Sequence, residues 1–177
     1  MEIAPNDRLL AVGYAGGAVK LFRWPSCEYV ASLTESPGSA FSVIFSPDGK
    51  RVAAARFDRL VRVWDVASRR EEANLSGHVN SVLGVAFSPD GRRLASGGAT
   101  FRDAVKLWDP SSQRELLSLQ ADGVFFMQLA WSPDGNTLTA TALNGLAHFW
   151  RAPSWEEIKA AEKEWQSLRP LDSQMRR

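Results

Sequence analysis

The chain has 177 residues, 45% hydrophobic and 23% charged, with a formal net charge of +1 and one cysteine, Cys27. So balanced a surface offers no extended field for nucleic acid or an anionic membrane. A lone cysteine rules out an internal disulfide framework and suits a reducing compartment such as the cytoplasm. The amino terminus has neither a basic start nor an apolar run, and no stretch is long and apolar enough for a transmembrane helix; neither a signal peptide nor a membrane span is expected.

Along the chain the same punctuation returns. Ala4–Asp7 is a degraded copy of the tetrapeptide Ser-Pro-Asp-Gly found at Ser46–Gly49, Ser88–Gly91 and Ser132–Gly135, and the prolines Pro5, Pro47, Pro89 and Pro133 are 42, 42 and 44 residues apart. An aromatic, Phe22, Trp64, Trp108 or Trp150, follows each proline by 17, 17, 19 and 17 residues, so the length changes only in Gly97–Asp103. Constant spacing with one insertion indicates tandem copies of one supersecondary unit.

Each unit reads as four short strands. A first strand alternates before the turn (Val43 and Phe45; Val85 and Phe87; Leu129 and Trp131), and small-residue strands follow it at 52–55, 94–96 and 138–141. Aromatic strands come next at 19–23, 61–65, 105–109 and 147–151. An outer strand then ends on Leu33, Leu75 or Leu119, each 11 residues after its aromatic. Proline presets φ and glycine accepts φ > 0, which makes Pro-Asp-Gly a tight turn. The units run over 1–34, 35–76, 77–120 and 121–151. The first has almost no innermost strand, and the last has no outer one. Ser154 and Glu157 then form a capping box, and Trp155, Ile158, Ala161, Trp165 and Leu168 share one face opposite Glu156, Lys159, Lys163 and Glu164. An amphipathic helix is therefore expected over 152–169, followed by a disordered tail at 170–177. The helix has two readings: it covers the edge of the last unit, or it docks a partner.

Four strands per unit at this period match a propeller blade. With Trp64-Asp65, Trp108-Asp109 and Gly77-His78, the chain resembles the WD-repeat β-propeller family over roughly residues 3–151. The fold class expected is all-β: a partial, open propeller of about four blades with a C-terminal α-helix. A seven-bladed ring would need roughly 300 residues, so the chain reads as part of a larger propeller. It is then completed by self-association or by blades from another chain, or it is an isolated gene fragment. The run from Phe149 to Ile158 is similar to the endings of bacterial WD-repeat proteins, some of which carry a kinase domain; no kinase motif is present here.

The resemblance implies a hydrogen-bonded set that ties each blade together. Position by position it falls on His78, Ser96, Asp103 and Trp108 in the third unit, and on Asp58 and Trp64 alone in the second. The family engages partners with the loops between second and third strands and those entering each first strand, here carrying Arg56, Phe57, Asn80, Phe101, Arg102 and Phe125. Phe101 lies in the one lengthened loop; it is either a contact residue or tucked against a neighbouring blade. Nothing points to catalysis. His78 and His148 lie in different units without a ligand set, Cys27 has no basic partner, and Asp48, Asp90 and Asp134 belong to the repeated turn. No metal, cofactor or nucleic-acid partner is expected. The function implied is a protein-interaction scaffold for a protein or peptide partner. The alternative is the regulatory or sensory C-terminal part of a bacterial signalling protein such as a WD-repeat-bearing Ser/Thr kinase.

Overall fold

The computed structural model describes residues 1–101 and 103–152; Arg102 and the expected C-terminal helix and tail lie outside the described residues. Within them the chain is all-β, in four antiparallel sheets taken in chain order. The first contains β1 (Glu2–Ile3), β2 (Leu9–Gly13), β3 (Val19–Arg23) and β4 (Glu28–Thr34). The second contains β5 (Ala40–Phe45), β6 (Arg51–Arg56), β7 (Leu60–Asp65) and β8 (Glu71–Ser76). The third contains β9 (Val82–Phe87), β10 (Leu94–Thr100), β11 (Asp103–Asp109) and β12 (Arg114–Leu119). The fourth has β13 (Phe126–Trp131), β14 (Thr137–Ala142) and β15 (Ala147–Arg151). Among the described residues no ladder joins the first sheet to the last, and the ring is open.

The repeated tetrapeptide makes one turn each time. In the second blade Gly49 N–H donates to the Ser46 carbonyl at 2.8 Å, and Ser46 Oγ donates to Asp48 at 2.6 Å while accepting the Arg51 N–H at 2.9 Å. Ser88 and Ser132 repeat the pattern, and Gly49, Gly91 and Gly135 have φ of 69°, 68° and 71°. The degraded copy folds the same way without the serine. Asp7 takes the glycine's place at φ 55°, and the Arg8 N–H donates to Asn6 Oδ1 as the Lys50 N–H does to Asp48 Oδ1 in the second blade. In each intact copy the serine hydroxyl, and then the backbone N–H two residues on, hold Asp48, Asp90 and Asp134 below the ordinary carboxylate range.

Strand alternation gives each sheet two apolar faces, and both are buried only by stacking. Ala53, Ala55, Val61, Val63, Ala73 and Leu75 of the second blade pack on Val82, Val85, Phe87, Leu94 and Trp108 of the third. The first and second blades meet the same way around Ala11, Val19, Leu21, Val43 and Trp64, and the third and fourth around Ala95, Val105, Phe126 and Leu138. Small residues on the first and second strands let the next blade come close. A Cβ added at Gly97 would stand 2.3 Å from the Phe126 carbonyl oxygen, and one at Gly84 would stand 2.4 Å from that of Met127.

An arginine clasp sets the spacing at the turn end of two of these interfaces. Arg51 Nη2 donates to the Gly91 carbonyl at 2.6 Å, with its guanidinium 5.4 Å from the Phe87 ring centre. Arg93 does the same one blade on, to Gly135 at 3.1 Å and over Trp131 at 4.8 Å. The side chain thus fastens the repeated turn of the following blade through a hydrogen bond and a cation–π contact.

Gly97→Ala should cost about 1–3 kcal/mol in urea unfolding, because the added methyl meets backbone that cannot yield. Gly16→Ala, whose methyl meets nothing within 4 Å, should change stability by less than about 0.5 kcal/mol. A second expectation concerns acid. The folded pKa values of the turn aspartates lie below the unfolded ones, so their contribution is fully present above about pH 4 and is lost as pH falls through the folded values. Replacing Ser46, Ser88 and Ser132 together by Ala should lower the urea midpoint at neutral pH, with the gap from wild type narrowing as pH drops below about 4. A gap independent of pH would show that the hydroxyls act through the backbone alone.

Candidate functional site

Loops entering each first strand and loops joining second to third strands meet on the rim opposite the repeated turns. They are tied by backbone bonds: Phe57 N–H to the Ser39 carbonyl at 2.9 Å, Ala40 N–H to Tyr14 at 3.2 Å, Phe125 N–H to Ala99 at 3.3 Å and Leu143 N–H to Val124 at 3.1 Å. Beneath this rim the second, third and fourth blades each carry a side-chain brace, and the braces differ.

In the third blade Trp108 Nε1 donates to Ser96 Oγ at 2.7 Å, and Ser96 Oγ lies 2.6 Å from His78 Nε2. His78 Nδ1 lies 2.8 Å from Asp103 Oδ2, which also accepts the Val79 N–H at 2.8 Å. Indole can only donate, so the serine accepts from Trp108 and gives its own proton to Nε2; Nδ1 then carries the ring proton towards Asp103. Burial opposes ionisation of Asp103, but the bonds from His78 and Val79 and the Lys106 charge 3.8 Å away outweigh it and hold the carboxyl low. Serine, histidine and aspartate stand in the order of a hydrolase triad. Here Ser96 is fully buried and its oxygen already engaged by Trp108, so no substrate carbonyl can reach it.

The second blade has Ser36 at the histidine position and Ala54 at the serine position. The loop position expected for Arg56 is corrected by the structure: it ends β6 and is 0% exposed. Its Nε donates to Asp58 Oδ2 at 3.1 Å, Nη1 to the Gly17 carbonyl at 2.8 Å, and Nη2 to the Ser36 and Pro37 carbonyls at 3.0 and 2.9 Å. One cation thus binds a carboxylate of its own blade, a loop of the blade before and the strand-entry loop between them. Asp58 also meets Arg62 at 3.5 Å, while Trp64 is buried between the first two blades. Sequence reasoning missed this brace. Its signal was a vacant histidine position with an arginine two residues before the aspartate.

In the fourth blade His148 Nε2 lies 2.6 Å from the Asp122 carbonyl oxygen, and its ring stacks on Trp150 with centres 5.7 Å apart. That contact ties the strand-entry loop by a third chemistry. Among the described residues no group of three or more metal-ligating side chains comes together.

The remaining candidates face outward. Phe57 is 60% exposed with its ring 6.3 Å from that of Phe41; Phe101 is 55% exposed, and Asn80 and Phe125 are also exposed. Phe125 is held at φ 57°, a conformation that costs a non-glycine residue energy. Phe41, Leu83, Met127 and Leu143 line a recess of about 380 Å³ at the centre of this rim. The structure therefore brings Phe57 together with Phe41, which the sequence did not single out, and takes Arg56 away from solvent.

The chain matches the family model "WD domain, G-beta repeat" over residues 27–65, 69–109 and 114–151. Each match begins at or just before an outer strand and ends with the third strand of the next blade, so one sequence repeat spans two sheets. Among curated proteins, a WD repeat-containing protein 3 homolog of Dictyostelium discoideum is 34% identical over 62 residues, covering 35% of this chain and 7% of that protein. The general transcriptional corepressor TUP1 of Saccharomyces cerevisiae is 44% identical over 50 residues, covering 27% of this chain and 7% of that protein. The chain thus spans a small fraction of the length of these relatives. Neither match bears on the resemblance to bacterial endings or on a kinase.

Arg56→Met should destabilise the protein by about 3 kcal/mol or more, because it leaves the Gly17, Ser36 and Pro37 carbonyls without their donor and Asp58 with Arg62 as its remaining cationic partner. Phe57→Ala, one residue away, should change stability by less than about 0.5 kcal/mol. Chemical denaturation of the two variants side by side checks the contrast. Equal losses would mean that Arg56 braces nothing.

Proposed function

The chain belongs to the WD-repeat family, and from that premise we propose that it serves as a protein-interaction scaffold, engaging a protein or peptide partner through the rim that carries Phe57, Phe101 and Phe125. The observation that carries this reading is the contrast on that rim: aromatic side chains in water on loops whose backbone is pinned from below. Exposed aromatics on a preorganised frame contribute most to binding and lose little entropy when a partner covers them. The partner presents aliphatic or aromatic side chains from an extended or looped segment, one of which fills the recess beside Phe41 and Leu143. No reaction is part of this role, and the exposed Cys27 thiol fits a reducing compartment such as the cytoplasm.

Peptides selected from a random displayed library on the wild-type protein test the reading. Selected peptides are expected to compete with one another and to lose about tenfold or more in affinity when Phe57 or Phe101 becomes Ala, with the melting temperature unchanged. Binders indifferent to both substitutions would place recognition elsewhere. A large fall in melting temperature for Phe101→Ala would make that residue a packing element instead.

A further inference from the structure

The innermost strands β1, β5, β9 and β13 each pair on one side only. Residues from all four line a channel of about 650 Å³ in the middle of the arc, and Phe41, Ser42, Met127, Gln128 and Thr141 line both this channel and the rim recess. The two form one passage. Its mouth is apolar, with Leu83 and Leu143 beside Phe41 and Met127, and Thr139 and Glu2 belong to the channel alone. The channel is of the size that holds a small ligand or one long side chain.

Among the described residues of this lining Glu2 alone has a charged side chain. The Ser46 N–H turns towards β6, to the Arg51 carbonyl, so the Phe45 N–H turns the other way, to the inner edge of β5. Glu2 Oε2 accepts it there. Among the described residues no cation forms an ion pair with this carboxylate. Burial pushes the carboxyl up, and the Phe45 bond and the Met1 ammonium only partly offset it. A half-buried carboxylate of this kind favours an incoming positive charge.

We infer that the passage takes a lysine or arginine side chain of the partner, with its charged head at Glu2. The inference rests on the rim being the binding face and names the residue that the partner inserts there. A basic side chain matches the passage along its length: the methylene stem is the aliphatic group that fills the recess between Phe41 and Met127, and the head meets the one carboxylate beyond. The Val43 carbonyl turns to the same edge as the Phe45 N–H, two residues on, and offers an acceptor for a remaining donor of the head. A shorter or neutral side chain leaves Glu2 without a cation, so the channel selects for charge and the mouth for length.

Synthetic copies of peptides selected from the random displayed library test this, each Lys and Arg replaced in turn by norleucine, which keeps a stem and removes the charge. One such replacement is expected to cost about tenfold or more in affinity for the wild type and little for Glu2→Gln, whose amide oxygen still accepts the Phe45 N–H. Peptides weakened by Phe57→Ala but not by Glu2→Gln overturn the inference and leave the rim reading standing. Peptides indifferent to Phe57, Phe101 and Glu2 alike overturn both. An equal norleucine loss on the two proteins, or selected peptides without a basic residue, refutes the inference as well. Self-association that Glu2→Gln abolishes would assign the passage to a second copy and refute it too. If Glu2→Gln lowers the melting temperature, Thr141→Lys and Thr141→Met decide: the ammonium should weaken a basic peptide about tenfold more than the thioether does, and equal affinities sink the proposal.

Discussion

A four-stranded sheet of this kind has two apolar faces and no core of its own, so every blade depends on its neighbours to bury them. That single requirement explains most of the sequence. It demands Ala or Gly on the second strand, where backbones approach within contact distance, and larger Val, Phe and Trp on the face that meets them. It also explains the clasp: Arg51 and Arg93 fix the distance at which one turn follows the next, so the small residues meet their partners in register.

On that frame the rim is free to vary. Three blades tie their strand-entry loops by three chemistries: a Trp-Ser-His-Asp chain, a buried arginine among carbonyls, and a stacked histidine. The common need is to satisfy loop carbonyls and N–H groups that stacking removes from water. Any donor set of the right reach meets it, so the family's histidine can be lost without losing the brace. Loops held this firmly present aromatic side chains at nearly fixed positions, which suits a binding surface better than a flexible one.

The end of the described arc obeys the same constraint from the other side. β12 and β15 carry apolar residues matched to a neighbour, and β14 carries threonines that refuse one.

Strand order, blade number and turn chemistry were legible in the sequence, because each depends on local patterning: Pro-Asp-Gly at a fixed period, alternation of period two, one aromatic per unit. The third blade's brace of His78, Ser96, Asp103 and Trp108 was implied by the family resemblance and not by a spacing that recurs in the other units. Arg56 was not legible as a brace. Burying a guanidinium requires carbonyls from Gly17, Ser36 and Pro37 to converge on one point, and their separation along the chain hides that convergence. The pairing of Phe41 with Phe57, the Arg51 and Arg93 clasps and the exposure of Leu117 are of the same kind. The linear order of residues determines which units form, because each folds from contacts close in sequence. Only the stacking of those units decides which side chains are braces and which meet water, because that depends on what the neighbouring blade brings alongside.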